Sequence, residues 1–148
     1  MDSEILKPVV VLVLWSLVMW VWLYATRIPA MRAARTRLDP RLPREQITGG
    51  LPPEVRWKAD NDNHLMEQPT LFYATAIVLA LAGAGEGLNL WLAWAYVALR
   101  VVHSLWHAMV NVIMVRFAIF TGSSLVLAVL AVRAALAVFG SSVIPGAA

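Results

Sequence analysis

Arg100, His103, His107 and Asn111 follow one another at steps of three, four and four. At about 100° per residue of α-helix they fall within roughly 80° of one another on a single face. The residues around them are mostly Val, Leu, Ala and Trp. Ionisable side chains inside so apolar a stretch are costly in lipid, so the polar stripe must face protein or a wet cavity, and such groups usually mark function. Two more charged residues open apolar runs elsewhere. Glu67 does so one turn after His64, and Arg116 does so after Asn111. A guanidinium keeps its proton under all ordinary conditions, so Arg100 and Arg116 are fixed cations suited to holding an anion. The histidines at i, i+4 have the spacing of a metal pair, but they equally suit hydrogen bonding within a site or plain packing. Arg100 and Glu67 can also be read as an ion pair that locks two helices. Arg116 can be read as an interface anchor whose head snorkels to water. Trp106 and Tyr73 are read as packing or lipid-facing residues.

These groups need helices to carry them, and the composition says in what solvent. The chain has 148 residues, of which 60% are hydrophobic and 14% charged, with a mean hydropathy of +0.69. A soluble domain is nearer half apolar and a quarter charged, and one this small has too little interior for the excess. The excess must face lipid. There is no cysteine, which excludes disulfides, a cysteine nucleophile and thiolate metal sites. The chain is therefore expected to be an all-α integral membrane protein, a bundle of four transmembrane helices forming a single domain over 1–148.

The spans are expected at about 8–28, 65–84, 88–109 and 116–139. The first is an apolar stretch of nineteen residues from Pro8 to Thr26, between Lys7 and Arg27, about 28 Å of helix and close to the hydrocarbon thickness. Acidic residues at its start and its long core make it a poor cleavable leader. Trp20, Trp22 and Tyr24 suit an aromatic belt at its end. A long loop at about 29–63 follows, with Pro40, Pro43, Gly49, Gly50, Pro52 and Pro53 read as helix breakers. Gly83 to Gly87 is read as a tight turn, residues 110–115 as a short connection, and Gly140 to Ala148 as a small, polar tail.

Basic residues concentrate in the long loop and its flanks: Arg27, Arg32, Arg35, Arg37, Arg41, Arg44, Arg56 and Lys58. The positive-inside rule puts that loop in the cytoplasm, and with it the mouth where Glu67, His107 and Arg116 converge. Nothing resembles a groove-reading motif, so no nucleic acid is expected. Ser124, Ala128, Ala131 and Ala135 give small residues on one face of the last span, a pattern that permits close helix contact. A large polar stripe is easier to enclose between subunits than within one small bundle, so a homo-oligomer is expected.

The stretch Leu99-Arg100-Val101-Val102-His103-Ser104 through Arg116 resembles the third span and the start of the fourth in MAPEG proteins, the membrane-associated proteins in eicosanoid and glutathione metabolism. The segment His64-Leu65-Met66-Glu67-Gln68-Pro69-Thr70-Leu71-Phe72-Tyr73 resembles the family's Asn-x-x-Glu-x-Pro segment, especially as found in bacterial members. The resemblance covers essentially the whole chain. It implies a homotrimer in a bacterial inner membrane, with glutathione bound between subunits at the cytoplasmic end. By position, Glu67 would accept from the glutathione amino group, Arg100 and His103 would contact glutathione or order its site, and Arg116 would face the thiol. Arg32 would match a second arginine of the eicosanoid-forming members. His64 stands at the family's asparagine, with Asn61 and Asn63 nearby, and His107 stands where a tyrosine is common. Phe117 follows Arg116, so no hydroxyl is supplied there.

The function this implies is a glutathione-dependent transferase or peroxidase acting on a hydrophobic small-molecule electrophile that enters from the membrane lipid. A non-catalytic protein holding a lipid or anionic ligand at the same inter-subunit site is the alternative. A small transporter is a third, although no carboxylate lies deep in any span. No metal is expected.

Overall fold

The computed structural model describes residues 3–36 and 39–140, apart from the side chain of Arg44; the expected tail beyond Gly140 lies outside the described residues. Among the described residues six helices succeed one another: α1 (Leu6–Ala33), α2 (Arg44–Thr48), α3 (Pro53–Glu67), α4 (Pro69–Leu81), α5 (Leu88–Met109) and α6 (Ile113–Gly140). Three of them, α1, α5 and α6, are long and apolar enough to cross a membrane. The 28 residues of α1 make a rod of about 42 Å, longer than the hydrocarbon core, so its basic last turn projects beyond the lipid.

The region expected as a loop at 29–63 is largely helical, and the prolines are the reason. Pro53 occupies the first turn of α3 and Pro52 precedes it with an extended ψ of 142°. A first-turn proline lacks an N–H that the helix would leave unbonded in any case. Pro43 precedes α2 in the same way. These residues start helices where they were read as ending them. Pro69 likewise starts α4 and separates it from α3, so the apolar run expected at 65–84 is the last turn of one helix and the whole of the next. The connection between α5 and α6 is shorter than expected. Asn111 takes a left-handed φ of 53° there, a conformation asparagine tolerates better than most residues, and α6 begins at Ile113.

α5 packs most extensively against α6 and also touches α1 and α3, while α4 packs on α1 and α6. The apolar core joins Leu12 of α1, Phe72, Ala76 and Leu79 of α4, Ala93, Tyr96 and Val97 of α5, and Leu127, Leu130 and Ala134 of α6. Phe72 stacks on Tyr96 with ring centres 4.5 Å apart and planes 22° from parallel. The outward faces of α1 and α6 are equally apolar, with Leu14, Val21, Leu125 and Leu136 all exposed, as lipid contact requires. Two hydroxyls return to their own helix backbone: Ser16 on α1 donates to the carbonyl of Leu12, and Thr75 on α4 to that of Leu71, so neither is a bare donor toward hydrocarbon.

A second, smaller apolar cluster of Met19, Leu65 and Ala108 ties α1 and α3 to the loop-side end of α5. It forms the floor beneath the polar groups described next. Phe72→Ala should leave a cavity opposite Tyr96 and cost on the order of 3 kcal/mol, read as a lowered thermal midpoint in detergent. An unchanged midpoint would contradict the central place given to this stack.

Candidate functional site

The break between α3 and α4 creates the first acceptor of the site. A helix leaves the carbonyls of its last turn without intrahelical partners, and Pro69 prevents α3 from continuing. The hydroxyl of Thr70 donates to the Glu67 carbonyl at 2.6 Å. The guanidinium of Arg100, reaching across from α5, donates to the His64 carbonyl at 2.8 Å and to Oε1 of Gln68 at 3.3 Å. Arg100 is 0% exposed. Its Cζ lies 5.7 Å from the centre of the Phe120 ring on α6, where the negative ring face favours a cation. Gln68 also donates from Nε2 to Oγ of Ser124 at 2.6 Å. One arginine and one glutamine thereby join the α3–α4 junction, α5 and α6.

The histidines gather beside this pair. His64, His103 and His107 stand with ring centres 5.4 to 6.0 Å apart, and Phe120 lies against His64 and His103. On the neighbouring turn, Nδ2 of Asn61 donates to Oγ of Ser104 at 2.9 Å, both groups being buried. Among the described residues no set of three metal-ligating side chains is arranged to hold a metal ion. His107 Nε2 is already engaged: Arg116 donates one terminal N–H to it at 2.8 Å, and the same Arg116 nitrogen lies 2.7 Å from Oδ1 of Asn111. Since Nε2 accepts, the ring proton of neutral His107 sits on Nδ1.

The residues singled out in the sequence thus separate into two groups. His64, Arg100, His103, His107 and Arg116 come together. Glu67 does not join them: its side chain is 71% exposed, and its nearest ionic neighbour is His64 Nδ1 at 3.9 Å. The Arg100–Glu67 ion pair is not formed, because Arg100 takes neutral acceptors instead. Asn63 and Arg32 are also exposed. Helical phase accounts for the division. Asn61, Leu65 and Gln68 lie within about 60° of one another on the inward face, while Asn63 and Glu67 point roughly the opposite way.

Sequence reasoning gave no site role to Gln68, Asn61, Ser104, Ser124 and Phe120, all of them uncharged, and named Asn61 only as a neighbour of His64 and Ser124 only as a small residue on the last span. A signal did exist for two of them. Asn61 and Gln68 repeat at the i, i+4, i+7 spacing with apolar Leu65 between, which is the inward stripe of α3.

The whole arrangement is a helical membrane bundle with a buried cationic network and a second arginine at its edge. The MAPEG family model matches residues 5–136, nearly the whole chain, and the protein belongs to that family. It is an integral membrane protein of a glutathione- and eicosanoid-related group. No curated protein and no solved structure matches it.

Two substitutions test the network. Asn61→Ala removes the donor to Ser104 and should cost about 1–3 kcal/mol, read from the thermal midpoint; no loss would contradict a structural role for that bond. Asp62, on α3 before the apolar run, has its carboxyl pKa raised from the ordinary 3.8 by burial. The folded chain then binds the proton more tightly than the unfolded one, so stability falls as pH rises from the unfolded pKa through the folded one. Asp62→Asn should therefore stabilise the protein at neutral pH and change little below about pH 3.8. A stabilisation independent of pH would argue against the desolvation account.

Proposed function

We propose that the protein is a glutathione-dependent membrane transferase or peroxidase acting on a hydrophobic electrophile, with Arg116 stabilising the reactive thiolate. The observation that carries this reading is the setting of Arg116. It opens α6, is half-buried, and is held by the neutral acceptors of His107 and Asn111. No carboxylate pairs with it among the described residues. Its charge remains available to an incoming anion, in an orientation fixed beforehand.

Glutathione, when bound, supplies a thiol whose anion is the nucleophile. Lowering a thiol pKa by about two units takes about 2.7 kcal/mol of differential stabilisation, within reach of one guanidinium in a lipid-shielded setting. His107 is a positioning residue in this scheme. It holds Arg116 through Nε2 and has no free ring nitrogen to act as a base while it does so. Glu67, exposed on α3, suits the glutathione ammonium, and exposed Arg32 and Asn63 suit its carboxylates or amides. Arg100 and His103 are enclosed within one chain, so their part is to order the site. The apolar faces around the mouth favour lateral access of the second substrate from the bilayer.

The same reading includes a homotrimer and four crossings. Ala128, Ala131 and Ala135 lie on the exposed face of α6, where small residues permit a neighbouring helix to approach. Outward-facing Glu67 and Asn63 then have a subunit to meet. The fourth crossing is α4 with the last turn of α3, and the basic α1–α3 region faces the cytoplasm of a bacterial inner membrane. A second reading is a non-catalytic protein that binds a lipid or anion at this site. It is favoured by Phe117, exposed beside Arg116 where no hydroxyl can assist the thiol.

Millimolar glutathione should raise the thermal midpoint of the solubilised protein, and both Glu67→Ala and Arg116→Ala should remove the effect. Indifference to glutathione in the parent chain would turn the assignment to the non-catalytic reading. The chain has no cysteine of its own, so single cysteines can map topology. With four crossings, cysteines at Ser3 and Glu86 react with an impermeant reagent from one side, and those at Glu45 and Val112 from the other. Glu86 reacting together with Glu45 would remove the crossing assigned to α4.

A further inference from the structure

Away from the histidine cluster, the end of α1, helices α2 and α3 and the α5–α6 connection enclose a cavity of about 500 Å³. Its charged lining is balanced, with Arg27 and Arg56 against Glu45 and Asp60. The charges and the apolar groups are sorted by depth. Glu45, Arg56 and Asp60 are exposed, Arg27 is half-buried, and the lining residues Leu51, Val55 and Trp57 are buried or half-buried. Three of the four charged groups are thus more exposed than the apolar lining, of which Leu51 is buried.

Arg27 directly follows the apolar run that ends at Thr26, which places the cavity at the level of lipid headgroups. A site with two guanidinium and two carboxylate groups is neutral overall. It disfavours a pure anion, which would meet the carboxylates, and a pure cation, which would meet the arginines. It suits a molecule carrying both charges a few ångströms apart. The carboxylates select further, because they can accept hydrogen bonds only from an ammonium that still has N–H groups.

We propose that this cavity binds a zwitterion made of a primary ammonium and a phosphate, the chemistry of an ethanolamine phospholipid headgroup or of the free phosphomonoester. Arg27 and Arg56 hold the phosphate, Glu45 and Asp60 hold the ammonium, and Trp57 and Leu51 cover the carbon linker. The site is separate from the thiolate position at Arg116. Asn111 alone belongs to both, lining the cavity and accepting from Arg116.

The test is native mass spectrometry of the full chain in detergent, titrated with short-chain phosphatidylethanolamine, phosphatidylcholine and phosphatidylglycerol, with O-phosphoethanolamine as a soluble competitor. The ethanolamine lipid should bind about tenfold more tightly than either other lipid, a difference of about 1.4 kcal/mol. Glu45→Gln combined with Asp60→Asn should abolish that preference. Arg56→Gln should weaken the ethanolamine and glycerol lipids alike by about tenfold. These are exposed positions, so the variants should fold. Displacement by O-phosphoethanolamine would support the headgroup alone as the ligand; binding of the lipid without displacement would support the membrane as its source. Equal binding of choline and ethanolamine lipids, tighter binding of the glycerol lipid, or a preference that survives the double carboxylate substitution would each overturn the proposal.

Discussion

A guanidinium that cannot lose its proton lies wholly enclosed in a bundle whose outer faces meet lipid. Arg100 has no carboxylate paired with it among the described residues, so the chain must offer neutral acceptors and a polarisable face in the right places. Much of the molecule is arranged to that end. α3 ends at Glu67, just before Pro69 starts α4, and the carbonyl of His64 in its last turn is left for Arg100. Gln68 sits at the same break and turns its oxygen to Arg100 and its amide nitrogen to Ser124. Phe120 closes the site from α6. A straight helix through residues 53–81 would engage the His64 carbonyl internally and move Gln68 off its bearing. The interruption is thus part of the site, and the cost of burying one cation sets the relative positions of three helices.

Under the proposed function, reactivity belongs to the edge of that network and not to its centre. The enclosed groups fix the loop-side end of the bundle, and they align His107. His107 in turn fixes Arg116, the cation that remains half accessible where α6 enters the membrane. Asn111, in a left-handed turn, supplies the second hold. Ordering is therefore passed outward from a buried residue, through an oriented imidazole, to a guanidinium that an anion can reach. In many enzymes, preorganised charge of this kind contributes more to rate than any other single effect.

How legible this was in the sequence differed by scale. The membrane class followed from composition, and the long apolar helices from length and hydropathy. The stripe on α5 followed from its spacing, since Arg100, His103 and His107 stand out against apolar neighbours. The family was legible in two short motifs. In the region at 29–63 the prolines begin helices instead of ending them; proline can do either, and only the surrounding fold decides which. Glu67 drew attention as a charge at a span mouth, but its helical phase turns it outward and gives the inward place to Gln68. Asn61 repeats with Leu65 and Gln68 along one face of α3, whereas an uncharged partner such as Ser104 carries no mark in a sequence until the helices are brought together. The cavity near Arg27 depends on residues from three separate segments and was not legible at all.

The proposed chemistry depends on Arg116 as the group that makes a bound thiol acidic. The most direct measurement is the ultraviolet thiolate absorbance of glutathione bound to the protein, followed as a function of pH in the parent chain and in Arg116→Ala. The expected result is a titration about two units below the free thiol value of about 8.5 in the parent, and a return toward that value when Arg116 is removed. A bound thiol that titrates at the free value in the parent, or identically in both proteins, would contradict that role for Arg116.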